Sequence, residues 1–281
     1  MIAARPDLLV IGGLTIDRFA DGSTAPGGSV LHIARAVTAR GLRVAVATVA
    51  GPEPEARSAV EELRQLAVAL EAADADATAT FSHHDTAQGR RLRLERRGGR
   101  VDVPGSALVA PADAILVAPV AGEVATEDLA LLASVPVRAA ILQGWLRSLE
   151  EGADVGPLPI AALGAAAVDD LGRFDLLVAS REDLLAESRD PREQLSALRH
   201  AVGTKPALIV TDGADGLWLD ADGSVRHLPV PQRVDSVSTV GAGDILAAFL
   251  AMGGGDPTVT MERRAGDAMR IVAEVLEERR G

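Results

Sequence analysis

The chain opens on a short apolar run, residues 7–13 (Asp-Leu-Leu-Val-Ile-Gly-Gly), that stops at a glycine pair. A run this short, apolar after Asp7 and closed by glycines, predicts a strand buried on both faces, as in a parallel sheet. From Ser29 the period changes. Val30, Ile33, Ala34 and Val37 recur three and four apart, which predicts a helix capped by Ser29 and stopped by Gly41. Residues 43–50 predict a second strand, and residues 55–70 a helix with Val60, Leu63, Ala67 and Leu70 on one face. Further strands are predicted near residues 114–118, 139–142, 176–179 and 207–211, alternating with helical stretches. Such alternation predicts an α/β fold, a mainly parallel sheet with helices on both faces.

Two regions break this rhythm. Residues 77–103 hold two β-like stretches, 78–82 and 91–96, joined by a polar turn. They predict a small antiparallel flap between an early helix and the next parallel strand, and such flaps commonly cover a substrate. A mere extension of the sheet edge is the other reading. Residues 216–230 predict a hairpin that turns at Asp222-Gly223. No fixed-period repeat or low-complexity linker divides the chain, so residues 1–281 read as one domain with the flap inserted in it.

Composition narrows the function. Apolar residues make up 48%, yet no stretch has the unbroken apolar length of a membrane span. The first residues lack a signal-peptide pattern, which sets a cytoplasmic location as the expectation. With no cysteine there is no disulfide, thiolate metal site or cysteine nucleophile. A formal net charge of −12 disfavours nucleic acid or an anionic membrane as partner. Tyrosine is absent and there are four phenylalanines, so base-stacking platforms are few. Lys205 is the only lysine, in Thr-Lys-Pro outside any glycine loop. That argues against P-loop enzymes and protein kinases, whose lysines must reach phosphate.

The strongest local signal is residues 238–244, Ser-Thr-Val-Gly-Ala-Gly-Asp, running into Ile245, Ala248, Phe249 and Met252 at helical spacing. Gly241, Ala242 and Gly243 would open the helix, where unpaired N–H groups and the positive end of the dipole coincide as an anion site. Asp244 then stands beside the anion. A carboxylate makes sense there if it accepts the proton of an attacking hydroxyl. On this segment alone, a glycine turn with an aspartate capping the helix is equally open.

This segment resembles the C-terminal signature of the ribokinase-like carbohydrate kinases, the PfkB family. Other segments agree in order: the strand at 8–13, Asp17, Gly27-Gly28 opening a helix, and a strand at 207–211 running into Thr211-Asp-Gly213-Ala-Asp-Gly216. The resemblance implies a three-layer α/β/α sandwich with a mainly parallel central sheet and a small β lid, residues 78–103 with part of 14–25. It implies transfer of the γ-phosphoryl group of ATP, with Mg2+, to a hydroxyl. Asp244 would be the general base, and the backbone of Gly241, Ala242 and Gly243 the anion hole. Asp17 would hold substrate hydroxyls beside Gly27 and Gly28, and Arg90 or Arg91 would reach in from the lid. Thr211 and Gly213 would contact the ATP phosphates, with Gly216 shaping the turn.

The chain departs from the family pattern in four places. His32 stands where the family usually carries a substrate-binding asparagine. Ser180-Arg-Glu-Asp183 replaces an Asn-x-x-Glu segment, leaving Ser180 at the nucleotide and Asp183 to meet magnesium through water. Ser238 replaces an aspartate, and the tail after Gly255 is short, which abbreviates the adenine pocket.

Only Phe19 and Phe81 stand near the implied cleft, favouring a hydroxyl-rich sugar or polyol, inositol included. A nucleoside kinase and a ligand-binding member with little turnover are the alternatives. Trp145 and Glu123 follow strand ends and are weaker candidates for the pocket wall. His83, His84, His200 and His227 have no metal-site spacing. Lid edges that pair between copies would make a homodimer.

Overall fold

A computed structural model describes residues 5–86, 89–103, 105, 106, 108, 112–234, 238–255 and 258–280. In chain order it contains β1 (Leu8–Gly12), β2 (Thr15–Arg18), β3 (Thr24–Gly27), α1 (Ser29–Thr38), β4 (Val44–Ala50), α2 (Pro54–Leu66) and β5 (Ala69–Asp74). The lid strands β6 (Ala79–Thr86) and β7 (Gly89–Arg96) follow, then β8 (Ala114–Ala118), β9 (Val137–Ile141), the two-residue β10 (Ala153–Asp154) and α3 (Ala165–Leu171). The chain continues through β11 (Leu176–Ser180), α4 (Pro191–Val202), β12 (Ala207–Thr211), β13 (Leu217–Ala221), β14 (Ser224–Leu228), α5 (Ala242–Met252) and α6 (Met261–Glu278).

The main sheet runs β14-β13-β12-β11-β9-β8-β1-β4-β5. Every pair from β12 to β5 is parallel, and in the hairpin that follows only β13 runs against the rest. Strand alternation splits β1 between two cores. Leu8 and Val10 pack with α1, α2, α5 and α6, while Leu9 and Ile11 pack with α3 and α4 on the other face. The three-layer α/β/α architecture is therefore the observed one. Among the described residues no helix is long and apolar enough to cross a membrane.

Two local expectations fail for identifiable reasons. The helix expected to reach residue 70 ends at Leu66, and the chain turns extended at Ala67. Val68 then donates to the Val44 carbonyl (2.9 Å), starting β5 as a sheet edge; tertiary pairing overrides the helical period. Ser29 does not cap α1. Gly28 holds that position at φ +99°, and the Ser29 hydroxyl points elsewhere. The hairpin at 216–230 forms as expected, with Asp222 and Gly223 both at positive φ (+54° and +74°), as a tight primed turn requires.

The segment expected as a lid belongs to a second sheet, β10-β7-β6-β2-β3, which includes residues from the 14–25 segment. β2 leaves β1 after only Gly13 and Leu14 and pairs in parallel with β6. The contribution of β10 had no sequence signal, being two residues long.

Candidate active site

The loops after β1, β8, β9, β11 and β12 leave the same, C-terminal edge of the sheet, where open α/β folds bind ligands. The glycine turn before α5 belongs to that edge. Gly241 caps α5 in the left-handed region (φ +79°). A Cβ there would fall 2.5 Å from Cγ of His32, so the imidazole lies flush against the turn. Behind the turn, Arg279 donates to the carbonyls of Ser238 (3.2 Å) and Val240 (2.8 Å) and ties it to the end of α6.

The proposed anion hole needs one correction. The Ala242 N–H donates to the Thr239 carbonyl (3.0 Å) and is taken by the turn itself. Gly243, second in the helix, has no carbonyl four residues back within α5, so its N–H is left for a ligand. A Cβ at Gly243 would meet nothing within 4 Å, which leaves the approach open.

Asp244 does not cap the helix. Its Oδ1 accepts a hydrogen bond from the Ser29 hydroxyl (3.0 Å), linking α5 to the start of its packed neighbour α1. Burial pushes the Asp244 carboxyl above its ordinary range. The charges of His32 and Arg147 and the Ser29 hydrogen bond pull it back, and Asp183 adds to the rise. His32 is held below its ordinary value, first by burial and then by Arg279 and Arg35, while Asp244 and Asp17 oppose this. The imidazole thus feels both candidate carboxylates, and the two halves of the site meet at His32.

Asp17 lies on β2, one face of which looks into the cleft. A Cβ at Gly27 would fall 2.4 Å from Asp17 Oδ2 and 2.8 Å from Thr15 Oγ1, so Gly27 makes room for the carboxylate. Gly28 presses on backbone: its Cβ would lie 2.2 Å from the Gly13 carbonyl oxygen. From β6, His83 brings Nε2 to 3.4 Å from Asp17 Oδ1, and its ring stacks on Phe19 (centroids 5.2 Å apart).

Arg91 is not brought to this site. Directly paired residues of antiparallel strands share a face. His83 pairs with Leu92 and His84 with Arg91, so Arg91 stands on the face of the lid away from Asp17. A one-residue difference along a strand reverses the side. The Arg90 side chain lies outside the described residues.

The residues expected on the donor side stand at the ends of β11 and β12, and Arg147 stands past the end of β9. Ser180 and Asp183 bond each other reciprocally: the Ser180 N–H donates to Asp183 Oδ2 (3.0 Å), and the Asp183 N–H to Ser180 Oγ (3.2 Å). Asp183 is 2% exposed and receives Arg147 Nε on Oδ1 at 2.8 Å. Thr211 ends β12 half-buried, and its carbonyl accepts the Arg181 N–H (2.8 Å). Arg181 pairs with Asp212 (3.0 Å). Gly213 (φ +56°) faces open space, whereas Gly216 (φ +104°) closes the turn: its carbonyl accepts the Asp212 N–H (2.8 Å).

With this geometry, the sequence matches the profile described as pfkB family carbohydrate kinase over residues 8–253. The chain belongs to that family. Solved structures share the ribokinase fold. A pyrophosphate-dependent kinase in the ribokinase family, complexed with a pyrophosphate analog and myo-inositol, is 17% identical with a TM-score of 0.77, covering 96% of this chain and 95% of that one. Ribokinase from Arabidopsis thaliana, complexed with ribose and ATP, is 15% identical (TM-score 0.71; 97% and 93% covered). Adenosine kinase from Schistosoma mansoni, in complex with 2-fluoroadenosine, is 12% identical (TM-score 0.69; 96% and 94% covered). Comparison with curated proteins finds no match.

Within this pfkB-family site, a magnesium ion finds no ready-made protein cage. Among the described residues no group of three or more His, Asp or Glu side chains is placed to hold a metal. Both Asp183 oxygens already have partners, which suits contact through water rather than direct ligation.

Two weaker candidates make structural hydrogen bonds. The Trp145 indole N–H donates to the Val124 carbonyl (2.8 Å). Glu123 is buried and accepts the N–H groups of Val120 (2.9 Å) and Ala121 (2.8 Å), pinning the loop after β8; burial pushes its carboxyl up.

Sequence reasoning missed three residues of the site. Ser29 reads as a cap, and only the fold places its hydroxyl on Asp244. His83 reads as a turn histidine. Arg147 lies in the segment Gln143-Gly-Trp-Leu-Arg147, where the tryptophan draws attention; a cation in the loop just past a strand end was the signal available.

Proposed function

We propose that this chain is a kinase that transfers the γ-phosphoryl group of ATP to a hydroxyl of a small sugar or polyol. The observation that carries the reading is Asp244. It sits directly behind a glycine turn with a free helix N-terminus, held by Ser29 and facing the cleft that Asp17 lines.

The substrate hydroxyl oxygen attacks the γ-phosphorus and the bond to the β–γ bridging oxygen breaks. The hydroxyl proton passes to an Asp244 carboxylate oxygen, and ADP leaves. A carboxyl raised by burial is a better acceptor for that proton than an exposed one. The N–H groups of Gly241 and Gly243 and the dipole of α5 oppose the charge on the transferred group. Arg147 and Arg181 supply positive charge on the donor side, with Thr211, Gly213 and Ser180 at the phosphates. Magnesium, when bound, neutralises phosphate charge; the donor phosphates would hold it, with Asp183 reaching it through water. Asp17 accepts substrate hydrogen bonds beside Gly27 and Gly28, and His32 closes the floor between Asp17 and Asp244.

A second reading, pyrophosphate as donor, is favoured by Arg147 and by the likeness to a pyrophosphate-dependent kinase. An anion without a base needs positive charge and N–H groups rather than an adenine slot. A nucleoside acceptor is supported less, because Phe81 is 2% exposed and only Phe19 is left to face a base. A homodimer would form through the lid edges β3 and β10.

The test is consumption of ATP or pyrophosphate with magnesium across sugars, polyols including myo-inositol, and nucleosides. Turnover with one donor and one acceptor class, lost in Asp244→Asn, supports the reading. Ligand binding without turnover, in the wild type and across the panel, would leave a binding protein.

A further inference from the structure

The lid carries one buried imidazole for which phosphoryl transfer itself has no use. His83 Nε2 is buried without a hydrogen-bond partner and lies 3.4 Å from Asp17 Oδ1. Both side chains are 15% exposed. The ring is stacked on Phe19 with an interplanar angle of 14°, which fixes the plane in which the nitrogen lies. A buried polar atom without a partner is uncommon in a native fold. This one points at the carboxylate that grips substrate hydroxyls.

We propose that His83 is a specificity-determining residue and that, with Asp17, it reads a vicinal diol. The inference rests on the polyol-kinase reading above. One hydroxyl donates to Asp17 Oδ1, and the hydroxyl on the adjacent carbon accepts from His83 Nε2–H. A carboxylate only accepts and a protonated ring nitrogen only donates, so the pair fixes the role of each hydroxyl. The spacing fits. Adjacent hydroxyl oxygens in a gauche arrangement stand about one hydrogen-bond length apart, about 2.8 Å. An acceptor and a donor separated by 3.4 Å offer such a pair two nearly parallel hydrogen bonds. A lone hydroxyl meets only one partner, and a trans-diaxial pair holds its oxygens too far apart. The substrate class is therefore a ring or chain polyol with adjacent gauche hydroxyls.

The experiment measures KM and kcat for wild type, His83→Ala and His83→Gln with the accepted polyol and each of its monodeoxy analogues. His83→Ala is expected to raise KM for the parent polyol roughly tenfold with kcat little changed. His83→Gln, whose amide N–H can take the place of Nε2–H, recovers most of that loss. For one monodeoxy analogue, wild type and His83→Ala have the same KM. A KM raised equally for the polyol and every analogue would mean a loosened lid and overturn the proposal, as would an unchanged KM for the polyol.

If the wild type phosphorylates no alcohol, the kinase reading fails, and a second measurement still judges His83. In 15N NMR of the whole protein, His83 Nε2 is expected to carry a proton and to shift when myo-inositol is added. A bare Nε2, or no shift of Nε2 when myo-inositol binds, overturns the proposal.

Discussion

The imidazole of His32 lies against the α-carbon of Gly241, so closely that a Cβ there would fall 2.5 Å from His32 Cγ. The ring at the floor of the acceptor site and the turn that faces the donor are thus in direct contact. Gly241 is constrained twice, by that ring and by φ +79°. Gly241→Ala is expected to lose about 1–2 kcal/mol from the left-handed backbone alone, with the clash in addition. In a His32→Ala background the part of the clash due to Cγ and Cδ2 should vanish, while that with the β-carbon at 2.8 Å stays, so the loss should be smaller. Equal losses in the two backgrounds, measured by denaturant unfolding, would contradict the contact.

Asp244→Asn is expected to lower kcat by about a thousandfold, with substrate KM nearly unchanged. The same change should stabilise the fold. Because burial raises the Asp244 pKa in the folded state, the folded protein binds that proton more tightly than the unfolded chain. Stability therefore falls as pH rises from the unfolded value through the folded one, and the neutral amide avoids this loss. Thermal unfolding at neutral pH should show a higher Tm for the variant; a lower Tm would mean that the carboxylate is needed for structure.

With Asp244 as the proposed base, activity requires it ionised, so the acid limb of the kcat profile should lie above the ordinary aspartate range. Ser29 donates to the ionised form and lowers the pKa. Ser29→Ala should move that limb to higher pH. A limb that stays in place would separate Ser29 from the base.

Arg147 and Asp183 form a pair whose carboxylate is 2% exposed. Arg147→Ala leaves that charge buried with only the Ser180 N–H, and about 3 kcal/mol of stability should be lost. The donor KM should rise while the acceptor KM stays near its wild-type value. A variant with normal donor KM would restrict Arg147 to a structural role.

Arg91 stands on the outer face of the lid, opposite His84. Arg91→Ala should leave acceptor KM within about twofold, because removing an exposed side chain with no partner at the site changes little. A large rise would place this strand in the opposite register.

Much of this architecture is legible in the sequence because it is local. The run at 7–13, the helical period after Ser29 and the hairpin at Asp222-Gly223 each carry their own signal. So does the order of Asp17, Gly27-Gly28 and the glycine turn. What could not be read depends on partners distant in the chain. Ser29 and Asp244 are 215 residues apart, and Arg147 and Asp183 36 apart, so neither pairing has a spacing to detect. β5 looks helical until β4 offers it backbone partners. Arg91 looked suited to the cleft because the basic cluster was visible, whereas the strand parity that faces it outward depends on the register of β6 and β7.

The two-residue passage from β1 to β2 gives the molecule the form of a pair of calipers. One jaw, the small sheet, bears Asp17; the other, the main body, bears Asp244; Gly13 and Leu14 are the only chain between β1 and β2. On the proposed kinase reading, an alcohol long enough to touch both jaws brings its own hydroxyl to Asp244. On the same reading, one too short satisfies Asp17 and leaves Asp244 facing water, so the size of the acceptor would be gauged before any bond to phosphorus is made.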